Sequence, residues 1–121
     1  HFPEVEMYMA KKIVGAHSLV QGASVHSHSA LQYAETFGFD YVQYGAVYPT
    51  SKPVQPVGLK ALHSICKASS LPVLAVGGIS SLDRISDCLT HGAYGVSIGS
   101  WLLNAQNPHS ILKQIEQEIH L

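Results

Sequence analysis

Short apolar runs alternate along the chain with longer stretches in which apolar residues recur every three or four positions. The short runs predict four strands, at Ser18–Val25, Tyr41–Val47, Pro72–Gly77 and Gly95–Gly99. They lack a strict apolar–polar alternation, which is typical of strands covered on both faces. The longer stretches predict helices at Val5–Val14, Ser29–Phe37, Gly58–Ala68, Ser81–Thr90 and His109–Ile119. Strands that alternate with helices form parallel sheets, so the pattern predicts an α/β fold in the order α-β-α-β-α-β-α-β-α.

Two of the predicted helices carry additional signals. The apolar residues of the helix at Gly58–Ala68 share one face and are Leu59, Leu62, Ile65 and Cys66. In the following helix, Ser80 or Ser81 can cap the first turn, where Asp83 meets the positive end of the helix dipole.

Glycines recur at a fixed spacing around three of the predicted strands. A glycine is followed at +4 by an apolar residue and at +7 by a second glycine, in Gly15–Leu19–Gly22, Gly38–Val42–Gly45 and Gly92–Val96–Gly99. We expect the first glycine to close a helix and the apolar residue to open the buried part of a strand. The second glycine should lie near the strand's carboxyl end, so the spacing indicates a repeated βα unit.

Composition narrows the class of protein. The 121 residues, 46% hydrophobic and only 12% charged, predict one folded domain rather than a disordered chain. The net charge is −1 and the basic residues are scattered, so neither nucleic acid nor a membrane surface is an expected partner. The apolar runs are too short to span a bilayer. Cys66 and Cys88 form no disulfide framework, which favours a cytoplasmic location.

Ligands of parallel α/β folds gather at the carboxyl ends of the strands, and two glycine-containing loops lie there. Gly77 ends the third predicted strand and Gly78 follows it, and Gly99 ends the fourth and Ser100 follows it. Backbone N–H groups of such loops can approach an anion closely, and paired loops of this kind form the phosphate site of many (β/α)8 barrels. The alternative is that the glycines only permit tight turns. Because the two loops end adjacent strands, phosphate binding is the favoured interpretation.

The loop after the second strand offers two hydroxyls and one cation, from Thr50, Ser51 and Lys52. These groups suit phosphate oxygens, although a solvated surface loop would have the same composition. Ser24 and His26 share one face of the first strand and can point into the same site. A catalytic or metal-binding role is one interpretation of this segment. The alternative, favoured for His28, is that Ser27 or Ser29 caps a helix and His28 lies in solvent. The His, Cys and Asp residues lack metal-ligand spacing, so we expect no metal-binding residue in this chain.

Six segments of the chain resemble the thiamine phosphate synthase/thiazole tautomerase (TenI-like) superfamily. They are Ser24–Ser27, Asp40–Thr50, Ser51–Pro53, Gly58–Leu59, Pro72–Ile79 and Gly92–Val96. The resemblance implies a (β/α)8 TIM barrel of thiamine biosynthesis. The family reaction joins a hydroxymethylpyrimidine diphosphate to a thiazole phosphate and releases pyrophosphate, with Mg²⁺ as the cofactor of the full-length enzyme.

The resemblance also implies roles for individual residues. Gly78 and Ser100, with the neighbouring Gly77 and Gly99, would hold the thiazole phosphate through backbone N–H groups. Thr50 and Ser51 would help to bind that phosphate or the diphosphate. Lys52 and Ser24 would be catalytic, Lys52 by offsetting the charge of the diphosphate and Ser24 by contacting it.

The chain departs from the family pattern at three places. Thr50, Ser51 and Lys52 are contiguous, whereas the synthase loop has one residue after its threonine. Ala46 stands where the tautomerase branch has its proton-transferring histidine, which disfavours tautomerase chemistry. His1 resembles the histidine that ends the family's fourth strand, and the acids nearest to it, Glu4 and Glu6, do not reproduce the Mg²⁺-binding aspartate that normally follows.

That placement of His1 makes residues 1–121 a single domain, the C-terminal half of the barrel with strands five to eight. A complete barrel takes about 250 residues, so we expect the isolated chain to be inactive. The alternatives are a non-catalytic or regulatory phosphate-binding module, a thiazole tautomerase, and an unrelated phosphate-binding barrel enzyme. Expected partners are small phosphorylated thiazole and pyrimidine substrates, and a second copy of the chain that would cover open strand edges.

Overall fold

The computed structural model describes residues 1–7 and 19–119. Its four strands are β1 (Gly22–Val25), β2 (Tyr41–Tyr44), β3 (Val73–Val76) and β4 (Gly95–Ser97). Its helices are α1 (His28–Thr36), α2 (Gly58–Ala68), α3 (Leu82–Thr90), α4 (Ser100–Leu103) and α5 (Pro108–Glu118), and residues 4–7 are also helical. Within the described ranges, none of the helices is long and apolar enough to cross a bilayer.

The strands form one parallel sheet in the order β1-β2-β3-β4, each hydrogen-bonded to the next in the sequence. Phe2 extends this sheet at the free edge of β1. Its N–H donates to the Gly22 carbonyl at 2.8 Å, and its own carbonyl accepts from the Ser24 N–H at 2.9 Å. Four neighbouring parallel strands that alternate with helices confirm the predicted α/β fold, and this strand order is that of consecutive strands in a (β/α)8 barrel.

The two faces of the sheet differ in burial. Side chains that face the helices are buried, among them Val25, Val42 and Val73. The opposite face, here called the inner face, carries half-buried residues such as Ser24, Gln43 and Leu74. The expectation of strands covered on both faces is therefore wrong for this chain, because the helices pack on one side only. The inner face is the one that carries polar side chains.

The helices bury the faces that the sequence predicts. Leu62 and Ile65 of α2 are fully buried, and Leu59 and Cys66 pack against the same core. Ser27 caps α1 by accepting from the Ala30 N–H at 3.1 Å. The helix α3 has an equivalent cap, in which Ser81 accepts from the Arg84 N–H at 3.2 Å, and Asp83 lies in its first turn.

Element boundaries follow the prediction closely except at five places. The second strand ends at Tyr44 rather than at Val47. The first strand begins at Gly22 rather than at Ser18, because residues 19–21 lie outside any strand. His28 opens α1 one residue before the predicted start, and its ring remains exposed. The short helix α4 was not predicted. Of the predicted helix Val5–Val14, residues 5–7 are helical and residues 8–14 lie outside the described residues.

The glycine repeat is confirmed in two of its three copies. Gly38 and Gly92 follow helices with φ of 75° and 104°, the left-handed conformation expected of a helix-closing glycine. The first copy is wrong where it can be examined, because Gly22 begins β1 instead of ending it and Leu19 is exposed. Gly15 lies outside the described residues.

Candidate functional site

A cavity of about 420 Å³ opens at the carboxyl ends of the strands. It is lined by the last residues of β3 and β4 and by residues from the segments that follow all four strands: His26, Gly45, Ala46, Thr50, Ser51, Lys52, Val54, Val76, Gly77, Gly78, Ile79, Ser97, Gly99 and Ser100. The seven residues predicted at the second, third and fourth of these loops are therefore brought together. Of the predicted site residues, Ser24 alone is not part of this lining.

One layer of the inner face forms the base of the cavity. The β3–β4 register pairs Val76 with Ser97, and extending the register of the other strands by one residue places His26 beside Gly45. A hydrogen bond joins this pair, since Nδ1 of His26 lies 3.2 Å from the Gly45 carbonyl oxygen. Because a carbonyl can only accept, Nδ1 carries the proton in this contact. His26 is held at the cavity through its ring.

The loops after β2 and β3 contact each other with almost no space between them. A Cβ added at Gly45 would lie 1.9 Å from the carbonyl oxygen of Val76. One added at Gly78, where φ is 67°, would lie 2.5 Å from the Pro49 carbonyl oxygen. Hydrogen bonds from the Val47 N–H to Val76 (2.9 Å) and from the Tyr48 N–H to Gly77 (3.1 Å) also join the loops. Only glycine fits at Gly45 and Gly78 without moving the wall of the cavity.

Thr50, Ser51 and Lys52 are exposed and occupy the outer wall of the cavity. The Thr50 hydroxyl accepts from the Lys52 N–H at 3.1 Å, which folds this segment into a tight turn. Among the described residues that line the cavity, Lys52 is the only Lys or Arg, and Asp and Glu are absent. The charge of this wall therefore favours an anion.

Backbone N–H groups of the third and fourth loops remain available for a ligand. In the part of the chain that the structure describes, the N–H groups of Gly78 and Ser100 donate to no protein acceptor. Both residues line the cavity. Unpaired N–H groups beside an anion-favouring wall are the arrangement that proteins use to bind phosphate oxygens.

Ser24 lies one layer deeper on the inner face, two residues before His26. Its hydroxyl is 3.0 Å from Nε2 of His1, and the Nδ1 atom of the same ring is 3.2 Å from the Tyr41 hydroxyl. Beside Ser24 in the same layer, Gln43 donates from Nε2 to the Ser97 hydroxyl at 3.0 Å. The inner face thus carries two separate hydrogen-bonded groups, one around Ser24 and one that reaches Ser97 at the base of the cavity.

Sequence reasoning did not single out several residues of the cavity. The sequence carries no prediction for Val54 and Ser97, whereas His26, which is expected to point into the site, does line the cavity. The sequence does contain a signal for Ser97. It stands two residues before Gly99, and residues two apart in a strand lie on the same face. No comparable signal existed for Val54, because a long loop reaches the cavity only through its tertiary contacts.

Comparison with known proteins decides the family. A family model described as thiamine monophosphate synthase matches residues 4–102. The chain belongs to this family. A thiamine-phosphate synthase of Methanococcus maripaludis is 37% identical over 103 residues, which are 84% of this chain and 48% of the relative. One from Salinibacter ruber is 34% identical over 102 residues, covering 82% of this chain and 44% of the relative.

A solved structure is similar to this chain both in fold and in sequence. Thiamine phosphate pyrophosphorylase from Pyrococcus furiosus superposes with a TM-score of 0.77 at 32% identity, over 90% of this chain and 52% of that one. The chain therefore spans about half the length of the family members it matches, and its fold is that of half a (β/α)8 barrel.

Proposed function

We propose that the chain holds the thiazole phosphate in a thiamine-phosphate-synthase-like transferase that joins this substrate to a pyrimidine diphosphate. The observation that supports the proposal is the single cavity into which the loops after β2, β3 and β4 bring Thr50, Lys52, Gly78 and Ser100. Within the family shown above, an anion site at the strands' carboxyl ends suits a phosphorylated substrate.

Each residue has a role in this proposal. The N–H groups of Gly78 and Ser100, beside Gly77 and Gly99, bind the phosphate of the thiazole. The hydroxyls of Thr50 and Ser51 donate to phosphate oxygens at the edge of the same cavity. Lys52 offsets the charge that grows on the diphosphate as it leaves, and Ser24 contacts this group from the inner face. Such a reaction needs charge stabilisation more than a general base.

Mg²⁺ belongs to the proposed reaction, but the residues described here do not supply its site. No group of three His, Cys, Asp or Glu residues in the described part of the chain is placed to hold a metal ion. Glu4 contacts a residue of the cavity lining, since its carboxylate accepts from the His26 N–H at 2.7 Å. We therefore propose that this chain contributes the thiazole phosphate site and does not catalyse the coupling alone.

A tautomerase or a non-catalytic phosphate-binding module is the second candidate. Ala46 lines the cavity at the position where the tautomerase branch has a histidine. Since a methyl group cannot transfer a proton, Ala46 favours the module over the tautomerase. The module and the transferase would bind phosphate at the same site, but only the transferase would convert its substrates to product.

Ser100 offers a sharp test of the proposed phosphate site. It is the first residue of α4, a position where proline is tolerated, so Ser100→Pro removes the N–H donor and keeps the hydrogen bonds of the helix, while Gly99 before it, at ψ −88°, has to rotate to make room for the ring. We expect Ser100→Pro to weaken binding of the thiazole phosphate by about tenfold, the usual effect of one hydrogen bond to a charged group. Ser100→Ala keeps the N–H group and should bind like the unchanged chain in calorimetric titration.

The ligand control is the unphosphorylated thiazole alcohol, which should bind at least tenfold more weakly, since it lacks the charge-assisted hydrogen bonds. Equal binding of phosphate and alcohol would refute the proposed site. With the pyrimidine diphosphate and Mg²⁺ added, we expect no thiamine phosphate from the chain alone. Measurable product would show that a second half-barrel is not needed for turnover.

A further inference from the structure

Arg84 occupies an unfavourable position in α3. It is the third residue after the cap Ser81, where a capping box has a glutamate or glutamine and where the helix dipole opposes a cation. Its guanidinium nevertheless turns back toward the loop before the helix and is half-buried. A cation in the first turn of a helix lowers helix stability, and such locally unfavourable residues are typical of functional sites.

The contacts of the guanidinium join the two loops that form the cavity wall. Its Nη1 donates to the Gly78 carbonyl at 2.6 Å and to the Ser80 hydroxyl at 3.2 Å. The same group lies 4.5 Å from the centroid of the Tyr48 ring, within cation–π distance. Tyr48 directly precedes the Pro49–Lys52 turn. Arg84 is thus held by one residue on the β2 side of the cavity and by two on the β3 side.

The bond to the Gly78 carbonyl also fixes the direction of a hydrogen-bond donor. The peptide between Gly78 and Ile79 is trans, so its C=O and N–H point in opposite directions. Because the carbonyl faces Arg84, the Ile79 N–H points away from it. Ile79 lines the cavity, and its N–H donates to no acceptor in the described part of the chain.

The positive charge of Arg84 also strengthens the Ile79 N–H as a donor. Across the described residues no carboxylate forms an ion pair with Arg84, so its charge acts on the peptide it contacts. A hydrogen bond from a cation to a carbonyl polarises that peptide and makes its N–H a stronger donor. We propose that Arg84 is a positioning residue of the phosphate site, which aims and polarises the Gly78–Ile79 peptide so that the Ile79 N–H binds the anion. This inference rests on the proposed function.

The experiment follows amide signals of the ¹⁵N-labelled chain while inorganic phosphate is added. The unchanged chain should bind phosphate and shift the Ile79 amide. We expect Arg84→Met to weaken binding by about tenfold and to abolish the Ile79 shift. Arg84→Lys keeps the charge but not the planar fork, and should weaken binding by about threefold.

Two matched variants separate positioning from stability and from net charge. Ser81→Ala removes the cap of the same helix without touching the guanidinium, and Lys60→Met removes one exposed cation from α2. Both should bind phosphate like the unchanged chain. If Arg84→Met does not fold, Arg84→Lys, compared with Ser81→Ala, decides the question.

The outcomes distinguish the inference from the function on which it rests. An unchanged chain that binds no phosphate overturns the proposed function, and the role of Arg84 falls with it. An unchanged chain that binds phosphate, with Arg84 variants of equal affinity and an unaltered Ile79 shift, overturns the role of Arg84 alone. Equal weakening in Ser81→Ala and Arg84→Met would also overturn it, because loss of helix stability would then explain the effect.

Discussion

Lys52 brings the only lysine or arginine charge to the described lining of the cavity, from an exposed position on its outer wall. We expect Lys52→Met to weaken binding of inorganic pyrophosphate by about fivefold at low salt, as is usual for an exposed charge pair. The difference between variant and unchanged chain should shrink as ionic strength rises, because salt screens exposed charges. Calorimetric titration at two salt concentrations measures both effects.

Lys60→Met is the matched control for Lys52, since Lys60 is an exposed lysine of α2 that does not line the cavity. Its affinity for pyrophosphate should be unchanged. A similar loss in both variants would mean that pyrophosphate responds to net charge, and would argue against a role of Lys52 in the site.

The sequence predicts which residues line the cavity better than it predicts the contacts that hold them in place. Gly77, Gly78, Gly99 and Ser100 follow from their place after strands, and all line the cavity. The contact of Gly45 with the Val76 carbonyl and the turn of Arg84 back to Gly78 depend on how two loops meet in space. No periodicity within one segment contains that information.

At the scale of elements, α2 and α3 pack side by side and carry the two free cysteines. Burial raises the pKa of the Cys66 thiol to about 11, and burial also raises the pKa of Cys88. An unfolded thiol titrates near pH 8.5. Between these values the unfolded chain releases a proton that the folded chain retains, so the free energy of unfolding falls as pH rises from about 8.5 to 11.

Replacing Cys66 by serine isolates its share of this pH dependence. The free energy of unfolding of Cys66→Ser should fall less steeply from pH 8.5 to pH 11 than that of the unchanged chain, in urea titrations at several pH values. Part of the fall remains, since burial also raises the pKa of Tyr44 and Tyr48. Parallel curves for the two proteins would show that Cys66 does not titrate differently on folding.

Helices were easier to predict than strands for a physical reason. The helix α2 has apolar residues at the 3.6-residue period and matches its predicted bounds, and α3 begins one residue after its serine cap. Strands of three or four residues leave little pattern, and apolar Leu19 and Val20 extended the first prediction beyond β1 although both are exposed. The four-residue helix α4 is too short for any period to reveal.

The four strands of the described residues form an open sheet. The chain has about half the length of the relatives it matches. The helices cover one face, while the inner face holds polar residues such as Ser24, Gln43 and Ser97 and half-buried apolar residues such as Leu74 and Val76. Because one continuous core runs beneath all four strands, we propose that residues 1–121 form one domain with the topology of strands five to eight of the barrel.

Among the described residues β4 pairs only with β3, and its other edge and the inner face expose hydrogen-bonding groups and apolar surface that a second copy of the chain would cover. We expect sedimentation velocity to show species heavier than the 13.0 kDa chain whose proportion rises with concentration. Leu74→Glu places a charge on the inner face and should shift the chain toward monomer. Leu112→Glu makes the same change at an exposed position of α5 and should leave the distribution unaltered. A monomer at every concentration would show that the inner face tolerates solvent, and an equal shift in both variants would place the contact elsewhere.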